Sequence, residues 1–192
     1  MTSRVVAQLP CDARRIVIRG TSGSGKTTLA QRISKVTGLP HVELDGVFHQ
    51  PGWQPLADDV FAERVATVAA QDAWVVCGNY RQVADLLLAR ADTVVLYDLP
   101  RRVVMSRILR RTLRRALRRE ELWNGNKERW RNLFSTDPEV SVVAWAWTTH
   151  RARHEWTTQF LARPPRDALS LLHVTTVADE RLVCAGLLAP VR

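Results

Sequence analysis

The sequence predicts an α/β fold of three layers, α/β/α, with helices covering both faces of a five-stranded parallel sheet. Three observations carry that expectation. Short β-branched runs alternate with stretches of helical periodicity along the chain, the pattern of a parallel sheet with crossover helices. The first run leads into Gly20-Thr21-Ser22-Gly23-Ser24-Gly25-Lys26-Thr27, which satisfies the phosphate-loop spacing G-x-x-x-x-G-K-[ST]. Acids and arginines gather just after the later runs, where open parallel sheets bind ligands.

The elements follow in order. Residues 15–19 read as a buried strand, and Leu29, Ile33 and Val36 fall at helical spacing before Gly38, a helix terminator. Residues 41–45 read as a second strand, which would place Glu43 and Asp45 on one side of it. A loop carrying Phe48, His49 and Trp53 leads to a helix over residues 58–70. A third strand at 73–77 closes on Gly78-Asn79, and a short helix covers 83–88. The fourth strand, 93–98, runs to Pro100 and an Arg-rich helix over 101–119. A long helix from 138 to 162 ends at Pro164-Pro165; a fifth strand (171–175) precedes a helix capped by Asp179 and running to about residue 188.

Numbered in this order, the strands are expected to lie 2-3-1-4-5 in the sheet, with right-handed crossovers. The whole chain, residues 1–192, is expected to be one domain. Residues 14–100 and 164–192 would form its core, about 101–135 a helical Arg-rich lid, and 138–163 the long helix. Residues 1–14 read as a polar lead-in without the apolar run of a signal peptide.

A net charge of +9 favours acidic partners: nucleotides, phosphorylated metabolites or nucleic acid. Cys11, Cys77 and Cys184 are odd in number and scattered, which reads as free thiols in a reducing cytoplasm. No stretch of about 18 apolar residues suggests a membrane span.

The phosphate loop explains its own residue types. Glycines let the backbone curl its N–H groups toward phosphate oxygens, and the following helix N-terminus adds positive partial charge. Gly20, Thr21, Ser22, Gly23, Ser24, Gly25, Lys26, Thr27 and Thr28 are therefore expected to hold a nucleoside triphosphate. Lys26 would meet the β- and γ-phosphates and Thr27 would ligate Mg²⁺. The chain has 25 Arg and three Lys, yet Lys stands here, where a compact charge fits and a guanidinium fork does not.

These residues resemble the nucleoside and small-molecule kinases of the adenylate kinase and shikimate kinase type. Cys77-Gly78-Asn79-Tyr80-Arg81 has the spacing of the adenylate kinase D-G-F-P-R segment; the resemblance implies that Arg81 binds the acceptor. Residues 95–100 followed by Arg107 resemble the fourth strand, proline and lid arginine of shikimate kinases. Glu43-x-Asp45 resembles their D-x-D, whose acids serve Mg²⁺ and the acceptor hydroxyl. A further resemblance, from about residue 15 to 185, is to the bacterial DNA topology modulation (FlaR-like) proteins. It rests on Leu44-Asp45, Pro51-Gly52-Trp53, Gly78-Asn79-Tyr80 and Glu121-Leu122-Trp123-Asn124-Gly125-Asn126. The resemblance also implies adenine near residues 176–179.

One departure stands out. Cys77 occupies the place where adenylate kinases put an Asp supporting the Mg²⁺ water shell, and a thiol is a poor ligand for that hard ion. Either Glu43 or Asp45 supplies the charge, or metal binding is weak.

The Arg-rich helix interleaves nine arginines with an apolar stripe. It reads as a kinase lid in which Arg107 and Arg111, four apart on one face, clamp the transferring phosphoryl group. A nucleic-acid-binding face and a solvated face are its other readings, and Asn124-Gly125-Asn126 would be the lid hinge. Trp53 is a candidate wall of an acceptor pocket; Trp145 and Trp156 read as core, and His49, His150 and His154 as structural or surface. The expected function is an ATP- and Mg²⁺-dependent small-molecule kinase of the cytoplasm. Lys26, Asp45, Arg107 and Arg111 would do the chemistry, Thr27 and Glu43 hold the metal, and Asp45, Trp53 and Arg81 bind an anionic acceptor. The alternative is a nucleic-acid-associated switch that binds or hydrolyses ATP.

Overall fold

A computed structural model describes residues 4–5, 7–118, 120–127, 135–138 and 140–186. Arg119, the 128–134 part of the expected lid and the expected helix end at 187–188 lie outside them, as does the side chain of Cys184.

The strands are β1 (Arg4–Val5), β2 (Arg15–Gly20), β3 (His41–Glu43), β4 (Trp74–Cys77), β5 (Thr93–Tyr97) and β6 (Ser170–Val174). All pair in parallel, in the order β1-β6-β5-β2-β4-β3. Leaving β1 aside, this is the expected 2-3-1-4-5 order. The lead-in is therefore more than a tail: Arg4 pairs with Ser170 and Val5 with Leu171, adding a sixth edge strand. A two-residue strand has no periodicity to read, and only the exposed edge of β6 selects it.

The helices are α1 (Lys26–Thr37), α2 (Leu44–Phe48), α3 (Asp58–Ala69), α4 (Ala84–Leu88), α5 (Arg101–Arg118), α6 (Val142–Ala162) and α7 (Val177–Gly186). Gly38 ends α1 in a left-handed cap, its N–H donating to the Ser34 carbonyl at 2.8 Å. Strand residues alternate between two cores. Ile16, Ile18, Val95 and Leu172 pack with α1 and with Val104 and Ile108 of α5. Val17, Val76, Val94 and Leu96 pack with Phe61 and Val65 of α3 and with Leu87 and Leu88 of α4. α6 joins the two layers, with Ala146 in the first core and Phe160 in the second. Between them His150 Nε2 lies 2.9 Å from the Leu99 carbonyl, and His154 Nδ1 lies 2.8 Å from Asp98 Oδ2. The helix therefore crosses the carboxyl edge of the sheet, held there by both histidines, of which His154 also lies at the surface.

Several boundaries differ from expectation for physical reasons. The second strand stops at Glu43, and Leu44 turns the chain into α2 because its side chain is 2% exposed and packs against Gly78. Glu43 and Asp45 therefore do not share a side of a strand. Asp45 sits in the first turn of α2, where the helix dipole favours an acid. The expected loop after it contains this helix and a 3-10 turn at Pro51–Trp53. The long helix begins at Val142, capped by Ser141 Oγ accepting from Ala144 N at 3.4 Å. Asp179 is the partner of a cap at Thr176: it accepts from Thr175 and Thr176 N–H at 2.9 Å, while Thr176 Oγ1 accepts from Asp179 N–H at 3.1 Å.

Asn79 ties the end of β2 to the turn after β4. Gly20 N–H donates to Asn79 Oδ1 at 3.2 Å, and Asn79 Nδ2 donates to the Gly20 carbonyl at 2.5 Å. Asn79→Ala leaves both groups of Gly20 without that partner and is expected to cost about 1–3 kcal/mol. Urea unfolding measures the loss, and an unchanged midpoint would dismiss the tie.

Candidate active site

The phosphate loop turns out of β2 into α1 through three glycines at positive φ: Gly20 (152°), Gly23 (80°) and Gly25 (113°). A Cβ at Gly20 would run into Tyr97 and one at Gly23 into Ile108, so β5 and α5 both press on the loop. Lys26 Nζ donates to the Thr21 carbonyl at 3.0 Å. Burial pulls the Lys26 ammonium down to about 8, while the Asp45 charge acts to raise it. The loop lines a cavity of about 1330 Å³.

Next to Lys26, Thr27 Oγ1 donates to Glu43 Oε1 at 2.6 Å. The other oxygen, Glu43 Oε2, accepts from Trp123 Nε1 at 2.9 Å. Thr27 and Glu43 supply adjacent hard oxygen donors, a set that fits Mg²⁺, which is commonly held by a carboxylate or two together with substrate phosphates. Among the described residues no group of three or more His, Cys, Asp or Glu is placed to hold a metal, so phosphates would have to complete the shell. Cys77 Sγ lies 3.9 Å from Thr27 Oγ1 and 3.4 Å from His41 Nε2. Burial first, then the Glu43 charge, pushes its thiol up to about 12. It stays protonated and adds no charge to the metal side.

Asp45 opens onto the same cavity from α2. Tyr80 OH donates to Asp45 Oδ1 at 2.8 Å and lies 3.4 Å from His49 Nε2. Burial, followed by Asp45, holds Tyr80 protonated, so it remains a donor. Trp53 and Trp123 flank His49, with ring centroids 5.4 and 6.3 Å from the imidazole.

The segment at residues 121–127, expected as the lid hinge, is a hairpin docked on the residues after β3. Glu121 and Lys127 bridge antiparallel, Leu122 N–H donates to the Asn126 carbonyl at 2.7 Å, and a 3-10 turn spans Trp123–Gly125. Asn126, 4% exposed, accepts from Trp53 N–H and donates to the Gln50 carbonyl, both at 2.9 Å. Asn124 Nδ2 donates to the His49 carbonyl at 2.5 Å. The hairpin and the residues after β3 thus form one wall.

The expected arginines separate. Arg107 Nη1 donates to the Ser24 carbonyl and Nη2 pairs with Glu180 Oε2, both at 2.7 Å. Arg111 lines the cavity, and its charge reaches Lys26. Arg81 is exposed and does not appear among the described residues that line the cavity. Trp145 is 46% exposed and lines the cavity instead of the core, whereas Trp156 packs against the second core. Sequence reasoning missed Tyr80 as the partner of Asp45, Trp123 as the partner of Glu43, and Glu180 as the partner of Arg107. The first two lie inside quoted segments, but only the fold supplies their partners.

No protein-family model matches the chain, and no curated protein does. Among solved structures the chain is similar to shikimate kinase from Bacteroides thetaiotaomicron, with 12% identity, a TM-score of 0.57, and 91% of this chain and 94% of that one covered. A gluconokinase from Sinorhizobium meliloti 1021 overlaps 92% of both chains at 20% identity, with a TM-score of 0.49 that adds no argument. The chain therefore has the three-layer fold of the P-loop kinases of the shikimate kinase type. The comparisons do not single out the DNA topology modulation proteins.

The unfolded chain keeps the Lys26 proton up to about 10.5, and the folded chain loses it near 8. Folding therefore releases a proton between those values, and this group makes stability rise with pH across that window. Binding metal-free ATP above pH 8 is expected to restore the proton. Calorimetry in buffers of different ionisation heat should detect proton uptake at pH 9, absent in Lys26→Met; equal uptake in both would remove Lys26 as its source.

Proposed function

We propose that the protein is a small-molecule kinase that transfers the γ-phosphoryl group of ATP to an acceptor hydroxyl. The observation that carries this reading is the placement of Asp45: a carboxylate held by Tyr80 faces the phosphate-loop cavity, close enough for its charge to act on Lys26. A bare nucleotide switch has no use for a second oriented acid there.

The residues divide the work. Backbone N–H groups of the phosphate loop and Lys26 hold the triphosphate. Thr27 and Glu43 hold Mg²⁺, which when bound neutralises phosphate charge. The Tyr80 hydrogen bond occupies one oxygen of Asp45, leaving the other to take the acceptor proton. Arg111 faces the phosphates from α5 and stabilises charge on the transferring group. Arg107 stiffens the loop through Ser24 and Glu180 before any contact with phosphate. Trp53, His49 and Trp123 wall the acceptor side with aromatic surface, and the anion-binding role expected for Arg81 would need it to move toward a cavity that it does not line. Nucleotide and acceptor in the cytoplasm are the partners this reading requires.

The nucleic-acid alternative has one observation in its favour: Arg102, Arg110, Arg114 and Arg118 are exposed along α5. One assay separates the two. ADP release from Mg²⁺-ATP is followed against sugars, sugar acids, nucleosides, nucleotides and shikimate-like acids, and against duplex DNA and RNA, with Lys26→Ala as control. An acceptor is expected to raise turnover; stimulation by nucleic acid alone overturns the kinase reading.

Two substitutions test the roles. Asp45→Asn is expected to keep ATP affinity and to lower kcat by about 100-fold or more; an unchanged kcat removes Asp45 from the chemistry. Cys77→Asp places a second carboxylate beside Thr27 and is expected to lower the Mg²⁺ concentration needed for half-maximal rate. An unaltered requirement would mean that an acid at this position has no bearing on the metal.

A further inference from the structure

The two ring nitrogens of His49 stand in unlike places. Nε2 lies 3.4 Å from the Tyr80 hydroxyl, whereas Nδ1 is buried without a hydrogen-bond partner among the described residues. The backbone is tied on both sides of the ring: the His49 N–H donates to the Asp45 carbonyl at 3.0 Å, and the His49 carbonyl accepts from Asn124 Nδ2 at 2.5 Å. Phe48 and Trp53 meet the imidazole edge to face, with centroids 5.2 and 5.4 Å away, and Trp123 stacks on it at 6.3 Å. Tyr80 is held in the same way, against Phe48 at 4.8 Å and Phe61 at 5.0 Å. Rings packed on several sides turn only if their neighbours move.

The hydrogens of this pair can be counted. A phenol has one hydrogen and an acceptor oxygen; a neutral imidazole has one N–H and one bare nitrogen. Tyr80 gives its hydrogen to Asp45 Oδ1 at 2.8 Å, so its oxygen turns lone pairs toward His49. An imidazole bare at Nε2 would set two acceptors against each other at 3.4 Å and bury an unpaired N–H at Nδ1. The Nε2–H form avoids both. A doubly protonated ring would again bury an unpaired N–H at Nδ1, and burial pulls His49 below its usual value, against the Asp45 charge.

We propose that His49 is a positioning residue that acts on Asp45 through Tyr80. As the Nε2–H form it donates to the Tyr80 oxygen and leaves the phenol one direction for its hydrogen, toward Asp45. Donors in line polarise one another toward the carboxylate. Oδ1 stays filled, and Oδ2 is the oxygen presented to the acceptor hydroxyl. With the hydrogen on Nδ1 instead, the phenol could turn its own hydrogen to His49, and Asp45 would lose its tether. The hydrogen-bond chain belongs to the fold; its consequence for phosphoryl transfer rests on the kinase reading above.

The tautomer is read without turnover. Nitrogen NMR of the full chain carrying isotopically labelled histidine, with His49→Gln to assign the resonances, is expected to show the Nε2–H form alone near neutral pH. In Tyr80→Phe it is expected to show a mixture of both forms. An Nδ1–H form or a mixture in the unaltered chain, or a Tyr80→Phe spectrum like that of the unaltered chain, overturns the proposal. Kinetics with the acceptor found by the screen above then test the role. His49→Phe keeps a ring but removes the donor, and is expected to lower kcat about three- to tenfold with KM for ATP unchanged. His49→Gln, whose amide N–H can reach the place of Nε2, is expected to recover most of that loss. When His49→Phe is combined with Tyr80→Phe, kcat is expected to match Tyr80→Phe alone. An unchanged kcat in His49→Phe, no recovery in His49→Gln, or losses that multiply overturns the positioning role. Asp45→Asn separates this failure from that of the kinase reading: if it too leaves kcat unchanged, Asp45 has no chemistry to be positioned for, and the tautomer result stands by itself.

Discussion

The site depends on a phosphate loop whose backbone is wedged between two side chains that belong to other elements. Tyr97 of β5 stands against Gly20, and Ile108 of α5 stands against Gly23, closely enough that no side chain fits at either glycine. The left-handed turns allow the loop to curl, but the wedge decides where it curls. Asn79 fastens its entrance and Arg107, anchored by Glu180, fastens its middle. A loop pinned at three places presents its N–H groups without having to order them when phosphate arrives. The burial that lowers the Lys26 pKa belongs to the same arrangement, since the ammonium is held against the loop by the Thr21 carbonyl at the edge of the cavity.

Glu43 carries the second constraint. One of its oxygens accepts from the loop threonine and the other from Trp123, so the nucleotide side and the hairpin wall share one carboxylate. Two residues on, Asp45 has left the strand, entered α2, and taken Tyr80 as its partner. The break at Leu44 separates the two acids. Without it both would project from one strand face; with it, one stays beside Thr27 and the other faces the aromatic wall.

Much of the fold was legible because its signals are local. The β-branched runs, the spacing of Leu29 and Ile33, the stop at Gly38 and the loop spacing all depend on neighbours a few residues away. The parallel pairing followed from alternation, while the strand order is what the resemblance to the P-loop kinases implied. What escaped were decisions made across the sheet. β1 exists because β6 has a free edge. Leu44 turns inward because Gly78, 34 positions later, leaves it room. The hairpin at residues 121–127 folds onto Trp53 through Asn126, a contact that no run of sequence announces.

For the candidate site the division is sharper. The sequence by itself determined that a triphosphate-binding loop joins a strand to a helix and that acids and arginines crowd the same sheet edge. Residue type and spacing are sufficient for that, since backbone N–H groups and a compact ammonium act wherever a strand, a glycine turn and a helix meet. Only the tertiary structure decided which charge serves which place. It set Arg107 against Glu180, left Arg81 outside the cavity lining, and gave Asp45 its tyrosine. Electrostatic roles follow distance in space, which falls off steeply and bears no relation to separation along the chain.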